Sequence, residues 1–331
     1  NYRSYPLGES TVLTEPVYTV ALYGDHRHVT ELSFVFLNLG DIDISFNGLL
    51  GPDAEKELRQ RIIVSGMRIH DAMVSVLGEP VRDALGKGDL REKVWRWDWD
   101  GHAIMLSMQE SKYAALRILP IERADRAGRV DKLKGAELKQ RMAACVERRD
   151  NGDVIVGNIP MIDQGPKGYC SPATWERYLR YMDIPADMYL LAIAANTGIR
   201  GGTYYNEISS AVRSLLLANH RELEPLNESL SMELVTEYID KGLPVMWRFL
   251  NSPEFQKKVN SNTTRRNGAE FKKKDDSDGG NAGHICLIVG YNKRTGEIAI
   301  SDSWGPAYAE RWVPVDEMRS VPHGTMNVIK W

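Results

Sequence analysis

A cysteine at the start of a predicted helix is the residue in this sequence best suited to nucleophilic chemistry. A Gly- and Pro-rich segment, 163–169, leads into Cys170, and Pro172 fits the first turn of the helix that follows. At a helix N-terminus, unpaired backbone N–H groups and the helix dipole stabilise a thiolate over a thiol. The sequence therefore predicts a nucleophile at Cys170, against the alternative that it is one more small buried side chain.

A base and an orienting carboxylate follow in the second half of the chain. His284 opens an apolar strand, where an imidazole beside the thiol can take its proton and return it to a leaving amine. Asp302 ends the next predicted strand, where it can accept the imidazole N–H while Trp304 shields that bond from water. We expect His284 to be the base and Asp302 to orient it, the alternative for His284 being a purely structural role.

Gln164 supplies an oxyanion donor. It lies six residues before Cys170, across the Gly-rich loop, so its side-chain amide can donate to the oxyanion alongside the backbone N–H of Cys170. Gln, Cys, His and Asp in this order form a complete set for acyl transfer. Cys286, on the strand of His284, is a rival nucleophile, but its position in mid-strand predicts a core residue.

Together these motifs resemble the papain-like cysteine peptidases. The closest group is the bacterial peptidases related to the bacteriocin (double-glycine) leader-processing enzymes. The resemblance covers about 159–315 and rests on five motifs: Gln164-x5-Cys170, Gly201-Gly202-Thr203, Gly242-Leu243-Pro244-Val245, Gly283-His284 on a strand ending Val289-Gly290-Tyr291, and Asp302-Ser303-Trp304-Gly305. Ser171-Pro172 departs from the residues that follow the papain cysteine, which leaves the substrate pockets unassigned.

The resemblance implies a thiol protease that hydrolyses peptide bonds through an acyl-enzyme. Its catalytic residues would be Cys170, His284, Asp302 and Gln164, its substrate a protein or peptide, and its fold two-lobed. Because the nucleophile, base and oxyanion donor are shared, amidase, deamidase or transglutaminase activity stays open. A catalytically silent papain-like binding module is the alternative outside enzymes.

The first part of the chain predicts an antiparallel sheet packed on a long helix. Strands are expected at 17–23 and 29–39 around a turn at 24–28, with a further strand at 41–44. Apolar residues at helical spacing follow Pro52 and stop at Gly78. Two or three more strands follow, and the first carries Trp95, Trp97 and Trp99 on one face, which we interpret as core, with a ligand platform as the alternative.

The resulting fold class is α+β, in three segments. Residues 1–125 form the antiparallel-sheet-plus-helix domain, 126–153 a charged helical linker, and 154–331 the two-lobed papain-like cysteine peptidase domain. In the last two segments we expect helices near 136–147, 186–195, 205–217 and 228–241, then strands at 245–249, 285–289 and 298–301. The first domain resembles no family, and a protein partner is its candidate role.

The most polar stretch, 251–283, predicts an exposed mobile loop before His284. It could act as a lid, be a processing site, or be inert. Its Asp275-Asp276-Ser277-Asp278-Gly279 lacks the ligand spacing of an EF-hand, so we expect solvated charge there and not a calcium site.

Composition and charge argue against several other classes of protein. A formal charge of -3 favours no nucleic-acid partner, and three cysteines are too few for a disulfide framework. No apolar run approaches the ~20 residues of a membrane span. His26 and His28 lack a third ligand, so neither metal nor cofactor is expected. The first residue, Asn1, follows no leader, and we expect an extracytoplasmic or secreted bacterial protein, with a cytoplasmic one as the alternative.

Overall fold

The computed structural model describes residues 1–6, 10–24, 28–40, 52–109, 112–166, 168–197, 202–271 and 282–331, without the side chains of 52–54 and 89. The described chain forms two compact units. The first contains Asn1–Asp131, Ile162–Pro172 and Pro185–Ser214, and the second contains Lys132–Met161, Ala173–Ile184 and Leu215–Trp331. The division of the chain at 125 and 153 stays a prediction.

Helices and strands succeed one another along the chain in the following order. The first part contains β1 (Tyr2–Ser4), β2 (Thr11–Val12), β3 (Glu15–Pro16), β4 (Thr19–Gly24), β5 (Val29–Asn38), α1 (Pro52–Leu77), β6 (Val81–Leu85), β7 (Glu92–Trp99), β8 (His102–Ser107), β9 (Tyr113–Pro120) and α2 (Ile121–Asp125). The middle contains α3 (Gly135–Ala144), β10 (Val146–Arg148), β11 (Val154–Val156), β12 (Met161–Ile162), α4 (Cys170–Tyr181), α5 (Met188–Ala194), α6 (Tyr205–Ala218), β13 (Glu222–Leu226) and α7 (Met232–Ile239). The last part contains β14 (Val245–Asn251), α8 (Pro253–Asn267), β15 (Ala282–Asn292), β16 (Glu297–Ser301), β17 (Arg311–Pro314), α9 (Val315–Ser320) and β18 (Met326–Lys330).

The first unit is a sheet covered by the long helix α1. Its strand order is β12-β1-β4-β5-β9-β8-β7-β6. Ile69 and Met73 of α1 pack with Trp97 and Leu106 from the sheet, as an amphipathic helix on a sheet face must. The predicted helix is confirmed, from Pro52 to the turn at Gly78, whose φ of 81° suits glycine.

The tryptophan stripe has a core role at two of its three positions. Trp97 is buried and donates through Nε1 to the carbonyl of Gly78 at 2.8 Å, while Trp95 packs against the same cluster. The expectation is wrong for Trp99, which is 59% exposed because it ends β7 at the hairpin turn.

The second unit is built on an antiparallel sheet with a buried helix. The sheet has the order β10-β11-β15-β14-β18-β13, and β16 pairs with β15 and β17. Trp175, Tyr178 and Leu179 of α4 are fully buried. Tyr178 donates to the carbonyl of Pro244 at 2.6 Å, so the helix is bound to the loop that leads into β14.

Two positions of the predicted motifs require glycine for steric reasons. At Gly242 the φ is 75°, and a Cβ would lie 2.0 Å from the carbonyl oxygen of Met142. At Gly290 a Cβ would lie 2.5 Å from the carbonyl oxygen of Val154. Gly290 and Tyr291 lie within β15, beside a shift in its pairing register with β16.

The predicted loop 251–283 is wrong over most of the described part, where α8 replaces it. Ser252 caps α8 by accepting from the backbone N–H of Phe255, Pro253 occupies its first turn, and Gly268 ends it with a φ of 74°. Phe255 and Val259 are buried together with two polar side chains, so the helix packs despite its polar composition. The acidic run 275–279 lies outside the described residues.

Most of the other predicted helices and strands lie within the described residues. The mixture of helices and antiparallel strand pairs is compatible with the predicted α+β class. The helices α3, α5, α6 and α7 and the strands β14, β15 and β16 overlap the predicted elements. The strand at 41–44, most of the turn at 24–28, and His26 lie outside the described residues. Within the described chain, each helix is too short or too polar to cross a membrane.

Candidate active site

His284 and Asp302 lie in contact in the second unit. His284 is near the start of β15, and Asp302 directly follows β16, whose Ser301 pairs with Leu287. This antiparallel register places the two side chains together, with His284 Nε2 2.7 Å from Asp302 Oδ1. Both are buried, at 5% and 0% exposure, so little water competes for the bond.

The second oxygen of Asp302 is held by an arginine that the sequence motifs did not reveal. Arg311, fully buried at the start of β17, donates through Nη2 to Asp302 Oδ2. Burial by itself raises the pKa of Asp302, but Arg311 and His284 together outweigh it and hold this pKa well below its usual range. Asp302 is therefore a carboxylate at neutral pH.

Arg311 is in turn held by α8. Its Nη1 donates to Gln256 Oε1 and to Asn260 Oδ1, each at 2.7 Å. The guanidinium also lies 5.2 Å from the ring centroids of Trp304 and Tyr308. A chain of contacts thus runs from α8 through Arg311 and Asp302 to His284.

Aromatic rings fix the imidazole of His284 from two directions. Trp304 stacks on it, with centroids 4.6 Å apart and planes 26° apart. Phe249 of β14 meets it edge-on at 5.4 Å. With one nitrogen bound to a carboxylate and its faces packed, the ring has a single defined orientation, as a general base requires.

Cys170 is the first residue of α4. It is half-buried, whereas Cys145 and Cys286 are buried, and none of the three is in a disulfide bond in the described chain, which includes all of them. Cys170 is therefore the most exposed of the three. The first turn of a helix is also where backbone N–H groups stabilise a thiolate.

The body of α4 is bound to the strands that carry His284 and Asp302. Thr174 donates to the carbonyl of Ile285 at 3.2 Å, and Arg177 donates to the carbonyl of Ser301 at 3.1 Å. Arg177 is fully buried, and this burial lowers its pKa to about 10, the nearby carboxylate of Asp302 opposing the shift. The helix that begins at Cys170 thus contacts the residues next to both members of the pair.

Asp163 and Gly165 form a turn in the segment before Cys170. Gly165 has a φ of 73°, and its N–H donates to Asp163 Oδ1 at 2.9 Å. Gln164 is buried at 5% exposure, and Tyr169 at 1%. Gly168 accepts a backbone hydrogen bond from Gly202, part of the predicted Gly-Gly-Thr motif whose Gly201 lies outside the described residues.

The four predicted residues fall into two pairs. His284 and Asp302 meet in the second unit, and Gln164 and Cys170 belong to the loop and helix start assigned to the first. Arg311 was missed because its link to Asp302 appears only with the pairing of β16 and β17, in which Ile300 lies opposite Arg311. The available signal was Arg311 itself, a charged residue at the start of the second strand of the β16–β17 hairpin.

No metal site emerges from the described side chains, among which no group of three or more His, Cys, Asp or Glu could hold an ion.

A buried imidazole–carboxylate pair, and a cysteine at the start of a helix packed on the same sheet, are features of papain-like cysteine peptidases. The chain belongs to the Peptidase_C39 like family, whose model matches residues 156–321, half of the sequence. This match supports the resemblance drawn from the motifs at the level of the cysteine peptidase family. A comparison with curated proteins finds no match.

Proposed function

We propose that this protein is a cysteine peptidase in which Cys170 attacks the peptide carbonyl and His284 is the base. The observation that carries the proposal is the buried His284–Asp302 pair, fixed by Arg311 on one side and Trp304 on the other. Membership of the peptidase family supports the same reaction. A binding module would have no need of an imidazole held in this way.

The pairing of Cys170 with His284 is part of the proposal. It is supported by α4, because Thr174 lies one helical turn after Cys170 and bonds to Ile285, the residue after His284. Since Nε2 of His284 faces Asp302, we assign Nδ1 to the proton of the thiol. The carboxylate of Asp302 stabilises the imidazolium that results.

The proposed reaction has two stages, acylation of Cys170 and hydrolysis of the resulting thioester. The thiolate forms a bond to the carbonyl carbon, and the oxyanion accepts N–H donors from Gln164 and from the backbone of Cys170. When the C–N bond breaks, His284 gives its proton to the amine that leaves. Water, deprotonated by His284, then attacks the thioester and releases the carboxylic acid and the thiolate.

The finer assignments belong to the same proposal. We take the substrate to be a protein or peptide, and the relation to leader-processing enzymes to favour an unstructured peptide segment. We keep 1–125 as an N-terminal domain, 126–153 as a linker and 154–331 as the peptidase domain, in a bacterial, exported protein. Amidase, deamidase or transglutaminase activity would use the same four residues, but each would form a product other than a cleaved peptide.

The test is cleavage of a peptide library by the wild type, Cys170→Ala and His284→Ala, with products identified by mass spectrometry. We expect defined cleavage by the wild type and loss of at least ~10³-fold in either variant. Cys286→Ala is the matched control and should cleave normally. Cleavage that survives Cys170→Ala would refute the proposal, and release of ammonia without cleavage would favour amidase or deamidase activity.

A further inference from the structure

The loop that leads to the proposed nucleophile belongs to the N-terminal unit. Residues Ile162–Pro172 cluster with Asn1–Asp131 and not with the sheet that carries His284. The backbone N–H of Asp163 donates to the carbonyl of Arg3 at 3.3 Å, which continues the first sheet into the loop. The segment that contains Gln164 and Cys170 is therefore built onto strands within residues 1–131, which precede the matched family region.

One side-chain hydrogen bond fixes the end of this loop. Asn38, the last residue of β5, donates through Nδ2 to the hydroxyl of Tyr169 at 2.7 Å, and both side chains are buried. Gly40 lies against the same hydroxyl, since a Cβ there would be 1.8 Å from it. A side chain at position 40 would displace Tyr169, and Tyr169 directly precedes Cys170.

Aromatic side chains also contact two positions of the loop, Tyr169 and Gly165. The ring of Tyr169 packs edge-on against Tyr189 at 5.7 Å, and the hydroxyls of Tyr189 and Tyr5 are 3.3 Å apart. Gly165 approaches Tyr5 so closely that a Cβ would lie 2.3 Å from its hydroxyl. Both ends of the loop are thus packed on side chains of the same unit.

This packing matters because the loop carries both oxyanion donors of the proposed function. Such donors must be placed to within about 0.5 Å, and a misplacement of about 1 Å costs on the order of 10²-fold in rate. A site that must be this accurate is best supported by a sheet, and β5 is a central strand of the first sheet. The family region alone does not supply that strand.

We infer that Asn38, through its hydrogen bond to Tyr169, is a positioning residue for Cys170 and Gln164, so that strand β5 supports the proposed nucleophile and oxyanion donor. The inference rests on the proposed function of these two residues. It gives the N-terminal domain a role within the enzyme in place of a separate partner. Asn38 acts through Tyr169 and does not itself touch the substrate.

The experiment compares Asn38→Leu and Tyr169→Phe, each of which removes one side of the hydrogen bond, with the double variant. Ser65→Ala is the matched control, because it removes a buried 2.7 Å hydrogen bond to Glu15 in the same unit, between α1 and β3. We expect each single variant to lower kcat by about 10- to 100-fold with KM little changed, since oxyanion donors act in the transition state. The double variant should be no worse than the poorer single one.

A second readout keeps the inference separate from the proposed activity. The rate of Cys170 alkylation by iodoacetamide, followed against pH, reports the placement of the thiol whether or not peptides are cleaved. We expect the midpoint of this profile to move upward in both single variants and to stay in place in Ser65→Ala. Profiles and kcat values equal to those of Ser65→Ala would overturn the inference. A wild type that alkylates at low pH but cleaves no peptide would refute the peptidase function alone.

Discussion

At the scale of single residues, Asp302 is the point where the structure changes the expectation most. From the sequence, Asp302→Asn should be better tolerated than Asp302→Ala, because an amide oxygen can also accept the imidazole N–H. Arg311 alters this, because both variants leave its buried cation without the carboxylate that neutralises it. Removal of one partner of a buried ion pair costs about 3–5 kcal/mol.

We therefore predict that Asp302→Asn and Asp302→Ala both lower the free energy of unfolding by about 3–5 kcal/mol. The double variant Asp302→Asn/Arg311→Met should recover much of that loss, since no buried cation remains. Urea unfolding followed by circular dichroism measures all three. Full stability in Asp302→Asn would show that Arg311 does not depend on this carboxylate.

The predicted role of Gln164 is to donate a hydrogen bond to the oxyanion. Gln164→Ala should lower kcat by roughly 10- to 1000-fold, as expected for the loss of one oxyanion donor. Its fold should persist, which thermal unfolding can check against the wild type. An unchanged kcat in a folded variant would assign Gln164 a structural role in the loop.

At the scale of elements, the sequence predicted those whose pattern is local. The helix α1 has apolar residues at helical spacing between a proline and a glycine, and the structure has the same bounds. In α8 the buried face includes Asn262 and Thr263, so no apolar stripe marks it. Its caps, Ser252 and Gly268, were the available signal.

The candidate site divides in the same way. Cys170, His284 and Asp302 stand in local motifs, so their types and neighbours could be interpreted directly. The contacts of Arg311 with Asp302 and with Asn260 join segments that only strand pairing and helix packing bring together. Long-range contacts of this kind leave no periodicity in a single sequence.

The helix α8 should therefore matter to the site. Asn260→Leu removes an acceptor from the buried Arg311 and should lower the free energy of unfolding by about 1–3 kcal/mol. Lys257→Ala, on the exposed side of the same helix, is the control and should stay within about 0.5 kcal/mol of the wild type. Equal changes in the free energy of unfolding for the two variants would show that α8 does not stabilise the site through Asn260.

At the scale of the whole molecule, the ion pair of Asp302 links stability to pH. The pKa of Asp302 is lowered in the folded state, so the unfolded chain binds its proton first as the pH falls. Its contribution to stability is complete above the ordinary carboxyl pKa of about 4 and is lost as the pH falls below it. Asp153, whose burial is opposed by hydrogen bonds from Asn292 and Arg266, has a lowered pKa and acts in the same direction.

We predict that the free energy of unfolding falls steeply below about pH 4. In Asp302→Leu/Arg311→Met this fall should be smaller, because one of the lowered carboxyl groups is gone. Urea unfolding between pH 3 and pH 7 provides the comparison. Parallel pH profiles for the two proteins would mean that the Asp302–Arg311 pair contributes no acid-sensitive stability.

The central claim is that Cys170 is acylated during the reaction, and acid quenching of the wild type with a cleaved peptide tests it most directly. Intact mass followed by digestion locates any thioester. We expect a mass increase on Cys170 equal to the mass of the N-terminal product less one water, as a thioester requires, and no increase in Cys170→Ala. An acyl group on Cys286, or continued cleavage by Cys170→Ala, would contradict it.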